Sequence, residues 1–137
     1  MTVSLLVITH NQPGQELINI ATSILGNYPF DVEFIPVSAN IKTSELGRYA
    51  DQIKNKIFQL VTANSSHNGI LILTDICGAT PYNLAKYFSI DININIVNGI
   101  NLPMRLSVLN YPNKSLQALS LIAIEGAHKG IIQDCLS

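Results

Sequence analysis

The chain has 137 residues, of which 47% are hydrophobic and only 12% charged, and its eight basic and nine acidic side chains leave a formal charge of -1. That length fits one domain, the apolar share supplies a core, and without a basic excess there is no field to hold nucleic acid. Disorder would need low hydrophobicity with high net charge, and no window reaches the roughly 18 uncharged apolar residues of a membrane span.

The opening MTVSLLVITH has neither the basic flank nor the small-residue cleavage site of a secretory signal, which points to the cytoplasm. Thr2 to Thr9 is an aliphatic, β-branched run without strict alternation, the pattern of a strand covered on both faces, and His10 ends it. Asn11 to Gly14 reads as a loop. Leu17, Ile18, Ala21, Ile24 and Leu25 then recur at helical spacing from Gln15 to Leu25, with Gly26 and Asn27 as the stop. Val32 to Val37 is a second strand, interrupted by Pro36. Ser44 and Glu45 suit a helix start, and Leu46, Tyr49, Ile53, Ile57 and Leu60 continue its stripe to about Thr62.

Ala63 to Asn68 is small and polar, a loop. Gly69 to Thr74 (GILILT) is the clearest buried strand, and a helix follows from Pro81 to Phe88, with Thr80 as N-cap and Pro81 at its first position. In the fourth strand, Ile92 to Val97, isoleucines alternate with Asn93 and Asn95, as at a sheet edge with one more solvated face. Helices are expected from Leu102 or Pro103 to Leu109 and from Leu116 to His128, separated by a turn at Tyr111 to Asn113. Ile131 to Leu136 fits either a short strand or a continued helix. The order βαβαβαβα implies an α/β, doubly wound, mainly parallel sheet of four strands with helices on both faces. In such a fold the chemistry collects at the carboxyl ends of the strands.

Two chemistry-bearing residues fall at that edge: His10 after the first strand and Asp75 after the third. If those strands are neighbours the two side chains can meet. The carboxylate would then fix the imidazole tautomer, leave the other nitrogen free to attack, and stabilise the charge that develops on the ring. Taken singly, each residue is as readily a strand or turn cap. The segment Asp75-Ile76-Cys77-Gly78-Ala79-Thr80-Pro81 adds small residues, a hydroxyl and a helix N-terminus, the makings of a phosphate cradle at Gly78, Ala79 and Thr80. Neither a Walker loop nor a dinucleotide fingerprint is present. Cys77 and Cys135 form no CxxC pair, and Cys77 reads as a small buried filler. His67 and His128 read as structural, Tyr49, Tyr82 and Tyr87 as packing residues, and the histidine spacing offers no metal site.

Three blocks together are specific: Thr9-His10; Gly69 to Asp75 running into Gly78-Ala79-Thr80-Pro81-Tyr82-Asn83; and Val97-Asn98-Gly99-Ile100-Asn101-Leu102-Pro103-Met104. Through them the whole chain resembles the enzyme IIA component, mannose class, of the bacterial phosphoenolpyruvate:sugar phosphotransferase system. The resemblance implies a phosphotransferase without cofactor. His10 would accept a phosphoryl group from the histidine-containing phosphocarrier protein and pass it to a IIB component for sugar uptake, meeting the membrane only through a permease complex. It also implies that Asp75 orients His10, that Thr80 lies near the phosphoryl group, and that the domain is a homodimer exchanging a fifth, C-terminal antiparallel edge strand, here 131 to 136.

The chain departs from that pattern at Ala79 and Thr80, which replace Gly and Ser, at Cys77, which replaces an aromatic residue, and at Arg105, which replaces an apolar one. Ala79 is compatible with the pattern only at negative φ. An apolar docking patch is expected from Ile76, Leu102, Pro103 and Met104, of which Met104 fits the core equally well, with Arg105 reaching an acidic partner or the phosphate. The ending at Ser137, with no IIB segment after it, reads as a free-standing IIA. Such a protein could instead end a regulatory phosphorelay without transport. Two further readings are a non-covalent nucleotide- or flavin-binding module and phosphorylation of Asp75 itself.

Overall fold

The computed structural model describes residues 3–26, 31–63, 68–76, 79–87 and 93–134. Four strands form one parallel sheet: β1 (Ser4–His10), β2 (Val32–Val37), β3 (Ile70–Thr74) and β4 (Ile94–Asn98), in the order β2-β1-β3-β4. The crossovers are α1 (Pro13–Leu25), α2 (Leu46–Ala63, entered through a 3-10 turn at Thr43–Glu45) and α3 (Thr80–Tyr87); α4 (Leu102–Leu109) and α5 (Leu116–Lys129) follow β4.

The unalternating strands are apolar throughout because both faces are covered. Leu5, Val7, Leu71, Leu73 and Val97 share one core with α1, α4 and α5. Leu6, Ile8, Ile70 and Ile72 share another with Ile53, Ile57 and Leu60 of α2 and Ala85 of α3. This matches the doubly wound expectation. Pro36 is tolerated because β2 is an edge strand: Asp31 and Val37 accept from β1, so the ring nitrogen of Pro36 lies on the outer side.

β4 is the other edge, as its alternation implied; Asn93 is exposed, but Asn95 is not left to water. Asn95 lies half-buried against α5, its Nδ2 donating to Ser120 Oγ at 2.9 Å. Helix starts also shift. Pro13, at the first position of α1, begins it two residues before the expected Gln15. Thr80 is the first residue of α3 rather than its cap, because the Asn83 N–H bonds to the Ala79 carbonyl at 3.0 Å. Residues 131–134 are neither strand nor helix, and Ile131 and Ile132 are 76% and 74% exposed. Among the described residues no helix is long and apolar enough to cross a membrane.

Candidate functional site

The sheet order brings β1 beside β3, and the register Ser4↔Ile70 through Ile8↔Thr74 sets the ends of both strands at one edge. Ser4 N–H donates to the Gly69 carbonyl at 3.0 Å. Continued along β1, that pattern aims the His10 N–H at residue 75. Here the ladder substitutes a side chain for a carbonyl, and His10 N–H donates to Asp75 Oδ2 at 2.9 Å. The same oxygen lies 2.8 Å from His10 Nδ1, and Asp75 Oδ1 accepts from the Ile76 N–H at 2.9 Å.

Burial by itself would raise the pKa of Asp75. The hydrogen bonds from the backbone and ring of His10, the attraction of that ring and the Ile76 N–H outweigh it, and the net shift is downward. The carboxylate is thus held ionised. Acting as acceptor, it assigns the proton of a neutral His10 ring to Nδ1. His10 Nε2 has no hydrogen-bond partner among the described residues, and the ring is 28% exposed. The result is a partly exposed ring whose Nδ1 is held against an anion and whose Nε2 lone pair has no partner among the described residues.

The frame around the pair is braced. Thr74, wholly buried, donates its hydroxyl to Asn98 Oδ1. Its carbonyl accepts from the Ile100 N–H at 2.9 Å, tying the end of β3 to the loop after β4. Asn101 caps α4 through Met104 N–H at 2.8 Å and reaches the Ala127 carbonyl of α5 at 3.3 Å. None of these roles was legible beforehand; the only signal was the concentration of Asn and Thr at strand ends.

Of the expected phosphate cradle, Thr80 and Ala79 are half-buried at the start of α3, on the same edge. The φ of Ala79 is not positive, so its Cβ costs nothing there. Its N–H is 3.4 Å from the Ile76 carbonyl, a long bond. Gly78 and Cys77 lie outside the described residues, as do His67 and Cys135.

The docking expectation needs correction at Arg105, and of the two places open to Met104 the structure takes the core. Met104 is 1% exposed and belongs to the core under α4, and Arg105 is 0% exposed. The helix starting at the Asn101 cap turns both inward, so neither reaches a partner or a phosphate at the surface. Ile76 is 61% exposed, and Leu102 and Pro103 are half-buried. Tyr49 packs as expected and accepts the Ser38 N–H at 3.2 Å. His128 is exposed in the last turn of α5, and among the described residues no His, Cys, Asp and Glu group could hold a metal ion.

Residues 4–120 match the family model described as the PTS system fructose IIA component. The chain belongs to this family. It is 24% identical over 136 residues to the mannose-specific EIIAB component of the phosphotransferase system of Escherichia coli strain K12, covering 96% of this chain but 39% of that protein. Among solved structures, the mannose/sorbose-specific IIA subunit from Enterococcus faecalis superposes with a TM-score of 0.81 at 20% identity, over 100% of this chain and 98% of that one. The IIA protein associated with the fucose utilization operon of Streptococcus pneumoniae gives 0.77 at 19% identity, over 97% and 93%. At these identities the structures establish the shared fold. Family membership places this domain among the IIA components of the phosphotransferase system, and it spans about two fifths of the length of the EIIAB relative it matches.

Proposed function

We propose that this IIA domain is a phosphoryl carrier that takes a phosphoryl group on His10 Nε2 from the histidine-containing phosphocarrier protein and delivers it to a IIB component. The observation that carries the reading is the Nδ1–Asp75 contact of 2.8 Å, which leaves Nε2 as the open nitrogen. The Nε2 lone pair attacks the phosphorus of the donor's phosphohistidine in line. A new N–P bond forms as the donor's N–P bond breaks, and the released electron pair returns to the donor's ring nitrogen. The phosphorylated ring keeps its Nδ1 proton and becomes cationic, with the Asp75 carboxylate as counter-charge. Delivery to the acceptor reverses these steps, so positioning and electrostatics are all the protein must supply.

In this reading the Thr80 hydroxyl and the Ala79 backbone face the phosphoryl oxygens, and Ile76, Leu102 and Pro103 form the apolar part of the docking surface. The protein works in the cytoplasm as a homodimer, with 131 to 136 exchanged between subunits. Support comes from the open edge of β4, flanked by Tyr82, Leu121 and Ile124, and from the exposed Ile131 and Ile132. The test is intact-protein mass after incubation with phosphoenolpyruvate, enzyme I and the phosphocarrier protein. One acid-labile phosphoryl group, absent from His10→Ala, is expected. An alkali-labile group retained in His10→Ala would move the chemistry to Asp75 and overturn the proposal.

A further inference from the structure

Directly after His10 the backbone does something the loop reading of Asn11 to Gly14 did not anticipate. Asn11 has φ +52°, the only non-glycine residue with positive φ among those described. Its side chain is exposed and makes no hydrogen bond among the described residues, whereas its backbone is fully engaged. The Asn11 N–H donates to the Val37 carbonyl at 2.8 Å, the last rung between β1 and β2. One residue later Gln12 is helical, and its carbonyl accepts the Glu16 N–H at 3.2 Å as the first bond of α1. The chain thus passes from strand to helix through a single left-handed residue.

We infer that Asn11 is a positioning residue for phosphoryl transfer, acting through its left-handed backbone rather than its amide. His10 is clamped from both sides, by Asp75 Oδ2 toward β3 and by the Asn11–Val37 rung toward β2. A sharp reversal immediately beyond it lets α1 begin at Pro13 while the His10 side chain stays 28% exposed. The reversal is packed in place: the Gly14 N–H donates to Thr9 Oγ1 at 3.0 Å, and a Cβ at Gly14 would lie 2.4 Å from the Phe34 ring. It is in this left-handed conformation that Asn11 donates to Val37 while the chain enters α1 at the next residue. Asn tolerates the left-handed region, Gly occupies it freely, and a β-branched residue resists it.

This inference rests on His10 being the acceptor, so its test has an arm that does not. Wild type, Asn11→Gly, Asn11→Ala and Asn11→Val are compared in kcat/KM for phosphorylation by the phosphocarrier protein. Without donor, their His10 ring nitrogens are read by 15N NMR at about pH 8.5, where imidazole is neutral. Asn11→Gly is expected within about threefold of wild type with the Nδ1–H tautomer retained. Asn11→Val should fall about tenfold with that tautomer preference lost, and Asn11→Ala should lie between. If Asn11→Val does not fold, Asn11→Ala carries the comparison. Wild-type rate and tautomer in the folded Val or Ala variant would overturn the inference. So would an Asn11→Gly that keeps the tautomer but loses transfer, since the amide would then be the working part. Should wild type itself accept no phosphoryl group, the carrier reading fails while the NMR arm still decides the role of Asn11.

Discussion

Asp75→Asn is the substitution that separates holding His10 from charging its surroundings. The native carboxylate accepts three donors, two on Oδ2 from His10 and one on Oδ1 from Ile76. An amide has one oxygen. Placed at Oδ2 it still orients the ring but turns an NH₂ toward the Ile76 N–H, and flipped it abandons His10. Either way one backbone donor loses its acceptor and the counter-charge is gone. A hydrogen bond to a charged partner contributes about 1.5–3 kcal/mol. Felt in the transition state, where the ring acquires positive charge, that is about a tenfold to hundredfold loss in rate. The effect on folding should be smaller, about 1 kcal/mol, because both side chains of the pair remain partly open to water. The assay is the initial rate of His10 phosphorylation at limiting phosphocarrier protein, beside urea unfolding of the same samples. Asp75→Ala, which removes orientation as well as charge, should be slower than Asp75→Asn. A wild-type rate in Asp75→Asn would refute the role assigned to the carboxylate.

Because folding lowers the pKa of Asp75, its contribution to stability is complete above the unfolded value of about 3.9 and is lost as pH falls through the lower folded value. The stability gap between wild type and Asp75→Asn should therefore hold near pH 5 and close on further acidification; a gap that widens in urea titrations would contradict the sign. Thr80→Ser should transfer phosphoryl groups at close to the wild-type rate, whereas Thr80→Ala should lose up to about tenfold, the worth of one hydrogen bond; equal rates in quench-flow would remove the hydroxyl from the mechanism. Gly14→Ala should destabilise the fold by about 1–3 kcal/mol, since its Cβ would sit 2.4 Å from the Phe34 ring and 2.9 Å from Thr9 Oγ1. Denaturant midpoints check this, and an unchanged midpoint would mean that α1 can shift without cost.

The sheet was legible because its strands are written in an unusually plain hand: GILILT and SLLVI carry no polar interruption, and only burial on both faces explains such runs. His10 and Asp75 were legible as strand-end residues, but their meeting depended on a strand order that periodicity does not encode. Boundaries moved where a single backbone bond decides them, as with Asn83 to Ala79 at the start of α3. Arg105 was misplaced, and Met104 left open between patch and core, for a different reason. Charge and size in a sequence carry no direction, and it is the phase of α4, set by the Asn101 cap, that turns both inward. The left-handed turn at Asn11 left a faint trace, an Asn followed closely by Pro and Gly after a strand. That is enough to mark a turn but not to say which residue carries positive φ.

In the carrier proposed above, the way His10 is held would let a chain with so little charge run a reaction built on charge. The acceptor for the His10 N–H is the carboxylate of the residue whose carbonyl the ladder would otherwise have used, so the anion is fixed by the register of a buried sheet. A surface ion pair has to spend side-chain entropy to hold its geometry; here β1 and β3 have already done so, and the ring aligns on the same oxygen. On that proposal, the positive charge created by phosphorylating His10 would be balanced at its own Nδ1, without help from a wider field. The rest of the edge is free to be nearly neutral, with exposed Ile76 and half-buried Leu102 and Pro103. Such a surface would suit the two partners proposed for it, because neither would be held by long-range attraction after the group had moved.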